Sequence, residues 1–385
     1  MSPLSKKEYF KTIKARYKKS SSRIKSVILD EFCANCGYNR KYAIRKLNKP
    51  RLRNPRSLIY NKPGPRSKYD IPEIKRPLEE IWRTANLPCS KRLKAIIPLW
   101  IPFYQLEFGI LKPEVIRVLN KISPATIDRV MRLVRIRFRG KGRCATKPGL
   151  LLKSHIPIKT DQWDEKRPGF IEADTVAHCG TSLEGIFVWT IDCVDIATGW
   201  TEQRAMFGKS NVEMAKQLKD IENTLPFEIL GFDSDNGSEF INRLILEHFL
   251  NRKKPVQYTR SRAYKKDDNA HVEGKNWTHV RQWLGYRRFE NPKITDLLNE
   301  LYKSQWRLFL NFFMPSVKLV QKKRIGSKII KIHDSPKTPY QRVLDSKHVA
   351  SDIKEQLQKE IKTLNPFKLR KTINEKIVRI HKLAR

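Results

Sequence analysis

Cysteine is scarce and scattered in this chain. The six cysteines are Cys33, Cys36, Cys89, Cys144, Cys179 and Cys193, and only Cys33 and Cys36 lie close together. That distribution reads as a reduced, intracellular protein rather than a disulfide scaffold. Histidine is absent from the first third, His155 being the first. Long apolar runs are missing as well. The most apolar segment, Ala95 to Phe108, is interrupted by Pro98, Pro102, Gln105 and Glu107, too short and too broken to span a bilayer. The start, Met1-Ser2-Pro3-Leu4-Ser5, leads into a Lys-rich stretch without the apolar core of a secretory signal. A soluble, cytoplasmic protein with no membrane partner is expected. No internal repeat is visible.

Acidic charge is the other shortage. Against 79 Lys+Arg stand 39 Asp+Glu, a net charge of +40 over 385 residues. Such a field calls for a polyanionic partner, because each neutralised phosphate releases counterions. The deficit is uneven. Residues 1–150 carry a net +27, residues 151–250 a net −8 and residues 251–385 a net +21. An acidic centre between two basic flanks fits a metal-binding core between nucleic-acid-binding regions. A generic basic protein, of the ribosomal kind, rarely carries such an acidic block.

The chain divides by pattern into six stretches: 1–50, 51–69, 70–138, 139–160, 161–316 and 317–385. In the first, Tyr9, Ile13 and Tyr17 recur four apart, and Ile24, Val27, Ile28 and Leu29 mark a second helix. Gly37 breaks the pattern, and Asn39 can cap a third helix carrying Arg40, Lys41, Arg45 and Lys46. This is a helix-turn-helix layout whose second helix would enter a major groove; the alternative is a basic helical hairpin with no such role. A Pro- and Arg-rich linker follows. In 70–138, Leu78, Ile81 and Trp82 form one apolar face, and Leu93, Ile96, Ile97 and Trp100 another. Ser123 and Pro124 open a helix continuing through Met131 and Leu133, with Arg129 and Arg132 along it. It reads as a second DNA-binding module or as a solvated basic helix. Residues 139–160 are a second linker.

From 168 the pattern turns to strands. Phe170 to Val176, Ile186 to Ile191, Trp200 to Met206, Phe227 to Phe232 and Pro255 to Thr259 read as five strands. Helices are expected over Asn211 to Leu225, Ile241 to Leu250, Ala270 to Leu284 and Ile294 to Phe313. The tail 317–385 is basic and mostly helical. In it Val349, Ile353, Leu357 and Ile361 recur every four residues, a seam for the protein's own body or for a second copy.

The most telling segment is Asp233-Ser234-Asp235-Asn236-Gly237-Ser238-Glu239-Phe240. An acid at a strand end followed by Asn-Gly places a carboxylate on a tight turn, a good position for a hard cation. Asp174 closes another strand-like run, and Glu273 sits on a helix-like one. The intervals are 61 and 38 residues. Glu172, Asp192, Asp195 and Asp233 are competing acids. Together with Phe32 to Leu47, Trp189 to Gly199 and Asn311 to Leu319, these motifs resemble the Asp-Asp-Glu transposases of bacterial insertion sequences, which carry a retroviral-integrase-like catalytic core.

The resemblance implies an α/β ribonuclease-H-like catalytic domain, with a mixed five-stranded sheet and helices. An all-α helix-turn-helix region would precede it and a mostly helical basic tail follow it. It implies Asp174, Asp235 and Glu273 as catalytic residues and as ligands of Mg²⁺, with Mn²⁺ as a substitute. Asn236 would shape the turn. His271 would orient a water or touch the phosphate, or simply pack at a helix start. Lys265, Lys266, Lys275 and Arg281 would hold DNA phosphates. Trp277 and Val280 stand where retroviral relatives often have lysine, and Trp277 and Trp283 read as core residues. The partners implied are double-stranded DNA (terminal inverted repeats and target) and further copies of the chain, in a bacterial, nucleoid-associated setting. Zinc is not expected: Cys33 and Cys36 lack the upstream histidine pair of a retroviral zinc domain and read as packing residues.

Overall fold

A computed structural model describes residues 3–48, 69–138, 165–234, 240, 242–260, 270–325 and 328–384. The chain divides into two compact units, Met1–Arg66 and Ser67–Arg385.

The first unit holds α1 (Pro3–Lys19), α2 (Ser22–Cys36) and α3 (Arg40–Asn48). Ile13, Tyr17, Ile28, Leu29, Phe32, Cys36, Ala43 and Leu47 form its core. Gly37 ends α2 in the left-handed region, φ 67°, which a side chain rarely adopts. The Asn39 side chain then accepts the Lys41 N–H and opens α3. Cys33 and Cys36 both lie on the last turn of α2, with Cys36 buried in the core.

The second unit is built on β1 (Phe170–Ala177), β2 (Val188–Asp195), β3 (Thr201–Phe207), β4 (Gly231–Ser234) and β5 (Gln257–Arg260). Their spatial order is β3-β2-β1-β4-β5. The β1–β2 and β2–β3 pairs are antiparallel, and β1–β4 and β4–β5 are parallel. This order and these directions fit a ribonuclease-H-like fold. Gly169 makes the β1–β4 junction possible. Its carbonyl accepts the N–H groups of Leu230 and Gly231. A Cβ there would lie 2.4 Å from the Glu228 carbonyl oxygen.

Because strand side chains alternate, the sheet has two unlike faces. Ile171, Ala173, Ile191, Cys193, Met206, Phe232 and Tyr258 make one apolar. It is covered by α9 (Asn211–Thr224) and α10 (Arg243–Leu250). The opposite face carries Glu172, Asp174, Asp192 and Asp233 beside the apolar Val176, Val188 and Ala205. Against it lie α11 (Ala270–Lys275) and a wide π-type turn over Asn276–Arg281, which runs on into α12 (Gln282–Leu284). A longer helical run follows: α13 (Lys293–Leu301), a second π-type stretch over Tyr302–Trp306, and α14 (Arg307–Phe313).

That run closes the edge of the sheet. Asn299 and Asn311 each accept and donate one hydrogen bond with the β3 backbone, at Ala205 and Thr201 respectively, all four bonds being 2.8–2.9 Å. Two asparagine amides thus replace a neighbouring strand where an open edge would otherwise remain. This gives Asn311, fully buried, a structural meaning.

Several sequence expectations shift. Segment 70–138 is not a separate body. Its helices α4 (Pro72–Thr84), α5 (Ser90–Phe108), α6 (Pro113–Lys121), α7 (Pro124–Val130) and α8 (Arg132–Arg137) share one core with the sheet and the C-terminal helices. Trp100 is the joint, edge-on to Phe309, Phe313 and Phe367. The helix opened by Ser123 breaks at buried Met131, and Arg135 reaches back to Asp128 and Ser90 across the bend. β2 begins and ends later than expected, which puts Asp192 and Asp195 inside the strand. β4 starts only at Gly231, where Gly169 admits pairing, and runs through Asp233. The tail contains a hairpin, β6 (Leu319–Ile325) with β7 (Lys328–His333), before α15 (Pro339–Asp345), α16 (Ser351–Thr363) and α17 (Pro366–Leu383). Val349 and Leu357, with Ile353 and Ile361 beside them, pack into the protein's own core.

Candidate active site

Asp174 sits in β1, opposite Asp192 of β2. One residue earlier, Ala173 pairs with Ser234, the last residue of β4. Asp235 is the next residue in the chain, and it lies outside the described residues, as do Asn236, Lys265 and Lys266. Glu273 and His271 fall on α11.

Two side-chain contacts fix α11 against β1. Glu172, nearly fully buried, accepts the Val272 backbone N–H at 3.2 Å. That N–H is one of the four that a helix start leaves without an intrahelical partner. The carboxylate therefore anchors the helix and also meets the positive end of its dipole. Second, the Asn276 side-chain amide donates to Asp174 Oδ2 at 2.6 Å. Asn276 follows Glu273 by three residues in the same continuous helical run. Asp174 is thereby tied to the helix that carries Glu273. Asn276 Oδ1 is buried without a hydrogen-bond partner.

The remaining acids of this face are held by neighbours. Asp192 accepts from Gln203 Nε2 at 2.7 Å and Thr201 Oγ1 at 3.1 Å, and burial pushes its carboxyl up to about 6. Asp233 accepts from Thr259 Oγ1 at 2.6 Å. Asp195, on the other face, accepts from Gly169 N, Thr198 N and Thr198 Oγ1. It shapes the turn into β3, and burial raises it to about 6. Lys275 is half-buried beside His279, 3.4 Å away. Burial and then the Arg92 charge lower its ammonium to about 8. Buried His279 is held well below its ordinary value by the same two causes together with Lys275. Among the described residues no group of three His, Cys, Asp or Glu is placed to hold a metal ion. The donors present, Asp174 and the partnerless Asn276 oxygen, are hard oxygens of the type Mg²⁺ takes.

The other site residues are distributed as follows. Arg281 donates to the Ala177 carbonyl at the end of β1 and lies over the Tyr286 ring. Arg40 bonds Asp30 and Ser26 of α2, and Lys46 bonds the Tyr38 hydroxyl above aromatic rings, which raises its ammonium. Lys41 and Arg45 are exposed, Arg45 over the Tyr42 ring. Arg129 bonds the Ala125 carbonyl and Thr126 of its own helix, while Arg132 is exposed. Trp283 is buried as expected. Trp277 is not: it is 47% exposed, on the π-type turn whose buried residues are His279 and Val280. Sequence reasoning missed Asn276 and the anchoring role of Glu172. The three-residue step from Glu273 was the available signal for the first.

An uncharacterized protein of Sinorhizobium fredii, y4rM, is 36% identical to the chain over 337 residues, covering 87% of this chain and 94% of that protein. The chain belongs to the family of that protein. No protein-family model matches it. Among solved structures, the chain is similar to the catalytic core domain of HTLV-2 integrase in complex with magnesium. The identity is 14% and the TM-score 0.28, over 39% of this chain and 91% of that one. The catalytic core domain of BIV integrase gives 17% and 0.28, over 47% and 96%. No helix among the described residues is long and apolar enough to cross a membrane.

Proposed function

We propose that the protein is a metal-dependent DNA transposase of the insertion-sequence type. It would bind terminal inverted repeats, cleave the ends and join the freed 3′-hydroxyl to target DNA. The observation that carries the reading is the Asp174–Asn276 hydrogen bond, which lays the helix of Glu273 across the strand of Asp174. β4 ends beside Ala173, and Asp235 follows its last residue, Ser234, in the chain. The acidic face supports a cation, and the net charge of +40 supports a nucleic-acid partner.

Asp174, Asp235 and Glu273 would hold Mg²⁺. Bound there, the ion supplies a Lewis acid for the scissile phosphate and lowers the pKa of the attacking hydroxyl. The chain itself contributes position. Glu172 fixes the start of α11, Asn276 orients the Asp174 carboxylate, and Asn299 and Asn311 keep the sheet edge closed. Exposed Lys41, Arg45 and Arg132 remain available to phosphates.

The test uses labelled DNA flanking the gene, with Mg²⁺, comparing wild type with Glu273→Gln. End cleavage followed by joining, in wild type alone, is expected, with end binding retained in the variant. Cleavage without joined product would make the protein a nuclease of this fold. Binding without cleavage in both would make it a DNA-binding regulator.

A further inference from the structure

A cavity of about 510 Å³ opens beside α11, between the α4–α5 turn, the end of β2 and the segment before β6. Its lining includes Cys89, Arg92, Lys275, Trp277, His279 and Lys318. Gly274, the residue after Glu273, also lines it. Two features mark it as built for a ligand. Arg92 and Lys275 form no ion pair among the described residues, although each is partly withdrawn from water. The one carboxylate among the described lining residues, Asp195, already accepts three hydrogen bonds from Gly169 and Thr198. His279 is 7% exposed, and its Nδ1 has no hydrogen-bond partner. Cations left unpaired beside a buried, half-satisfied imidazole call for an anion. The exposed Trp277 ring adds a flat apolar surface of the kind on which bases stack.

We propose that this cavity holds an unpaired nucleotide of a DNA strand, its phosphate on Arg92 and Lys275 and its base against Trp277. The volume lies within the roughly 300–1,000 Å³ range of small-ligand pockets, and is far too small for a duplex. The proposal rests on the transposase reading, which supplies the DNA. It deepens that reading by making strand separation next to Glu273 part of substrate recognition.

Cys89 is exposed and lines the cavity, which provides a readout independent of catalysis. The full-length protein is treated with a thiol-alkylating reagent in a chelating, metal-free buffer, and modification of Cys89 is followed by peptide mass spectrometry. A short single-stranded oligonucleotide at about ten times its Kd is expected to slow modification about tenfold. A blunt duplex of the same sequence, or inorganic phosphate, slows it little. Arg92→Gln and Trp277→Ala should each restore most of the rate. Capture on wild-type Cys89 of an oligonucleotide carrying a mixed disulfide, by thiol–disulfide exchange that releases the small leaving thiol, makes the same test without any variant. An unchanged Cys89 rate under saturating single strand overturns the proposal, as does equal protection by phosphate alone. Protection without Mg²⁺-dependent cleavage supports the cavity assignment while counting against the transposase reading. Cleavage with Cys89 unprotected does the reverse.

Discussion

Glu172 offers the sharpest separation between an acid that reacts and an acid that positions. It lies two residues before Asp174 on the same sheet face, so by composition it could belong to the reacting set. Its carboxylate instead accepts the Val272 N–H in the first turn of α11. A hydrogen bond to a charged group contributes about 1.5–3 kcal/mol, and a neutral one about 1. Glu172→Ala removes the acceptor and leaves a buried donor, so opening of α11 becomes easier by about 2 kcal/mol, or roughly thirtyfold. Glu172→Gln keeps an acceptor of the same shape and loses about 1 kcal/mol, roughly fivefold. Native-state hydrogen exchange of the α11 amides measures this directly. DNA cleavage should follow the same order, with the glutamine variant retaining most of the activity and the alanine variant little. The reasoning is refuted if Gln and Ala abolish cleavage equally while α11 exchange stays unchanged, because Glu172 would then act through its charge on the substrate.

Two further outcomes follow from buried polar groups. Asn311→Ala strips both hydrogen bonds from the Thr201 backbone and should lower stability by about 3 kcal/mol; an unshifted urea midpoint would show that the β3 edge needs no clamp. Asp195 is raised to about 6 by burial, above its unfolded value. Between about pH 4 and 6 the unfolded chain therefore binds fewer protons than the native one, and stability falls as pH rises, by about 3 kcal/mol in all. Asp195→Asn should flatten that fall in pH-resolved melting, though Asp192, also raised to about 6, keeps part of it. An identical slope in the variant would remove the assignment.

The candidate acids stood out by their settings, Asp174 in a strand and Glu273 on a helix start, within a chain otherwise poor in negative charge. The five strands were legible from apolar runs, but not all of their limits. Phe227 and Ile229 are apolar because they pack, and pairing begins only at Gly231, where a backbone contact through Gly169 allows it. The amphipathic faces of α4 and α5 were visible. Their partner was not, since Trp100 meets Phe309, Phe313 and Phe367 from more than 200 positions away. The β6–β7 hairpin was hidden by its lysines, which dominate a charge-based reading of a segment whose apolar residues stay largely exposed. Asn299 and Asn311 carry no local signal at all. A buried amide is explained only by the backbone or carboxylate it meets across the fold.

Metal response is the remaining expectation, and it follows from the crowding of charge on one sheet face. Glu172 pairs with Asp233 and Asp174 with Asp192 across adjacent strands. Directly opposed like charges on a sheet are destabilising. The fold meets this by giving each carboxylate a donor: Val272 N–H, Thr259, Asn276, and Gln203 with Thr201. Hydrogen bonds reduce the repulsion without cancelling the charge, and burial separately raises the proton affinity of Asp192. A divalent cation at Asp174 would neutralise part of this face, so Mg²⁺ should stabilise the native state. At about one hundred times Kd the gain is about 2.7 kcal/mol, a rise in melting temperature of several degrees at matched ionic strength. Asp174→Asn should melt higher than wild type in chelator, because one opposed charge is gone, and should respond less to Mg²⁺. Equal melting of wild type with Mg²⁺ and with chelator, or an undiminished response in Asp174→Asn, would detach the cation from this face and with it the metal half of the proposed chemistry.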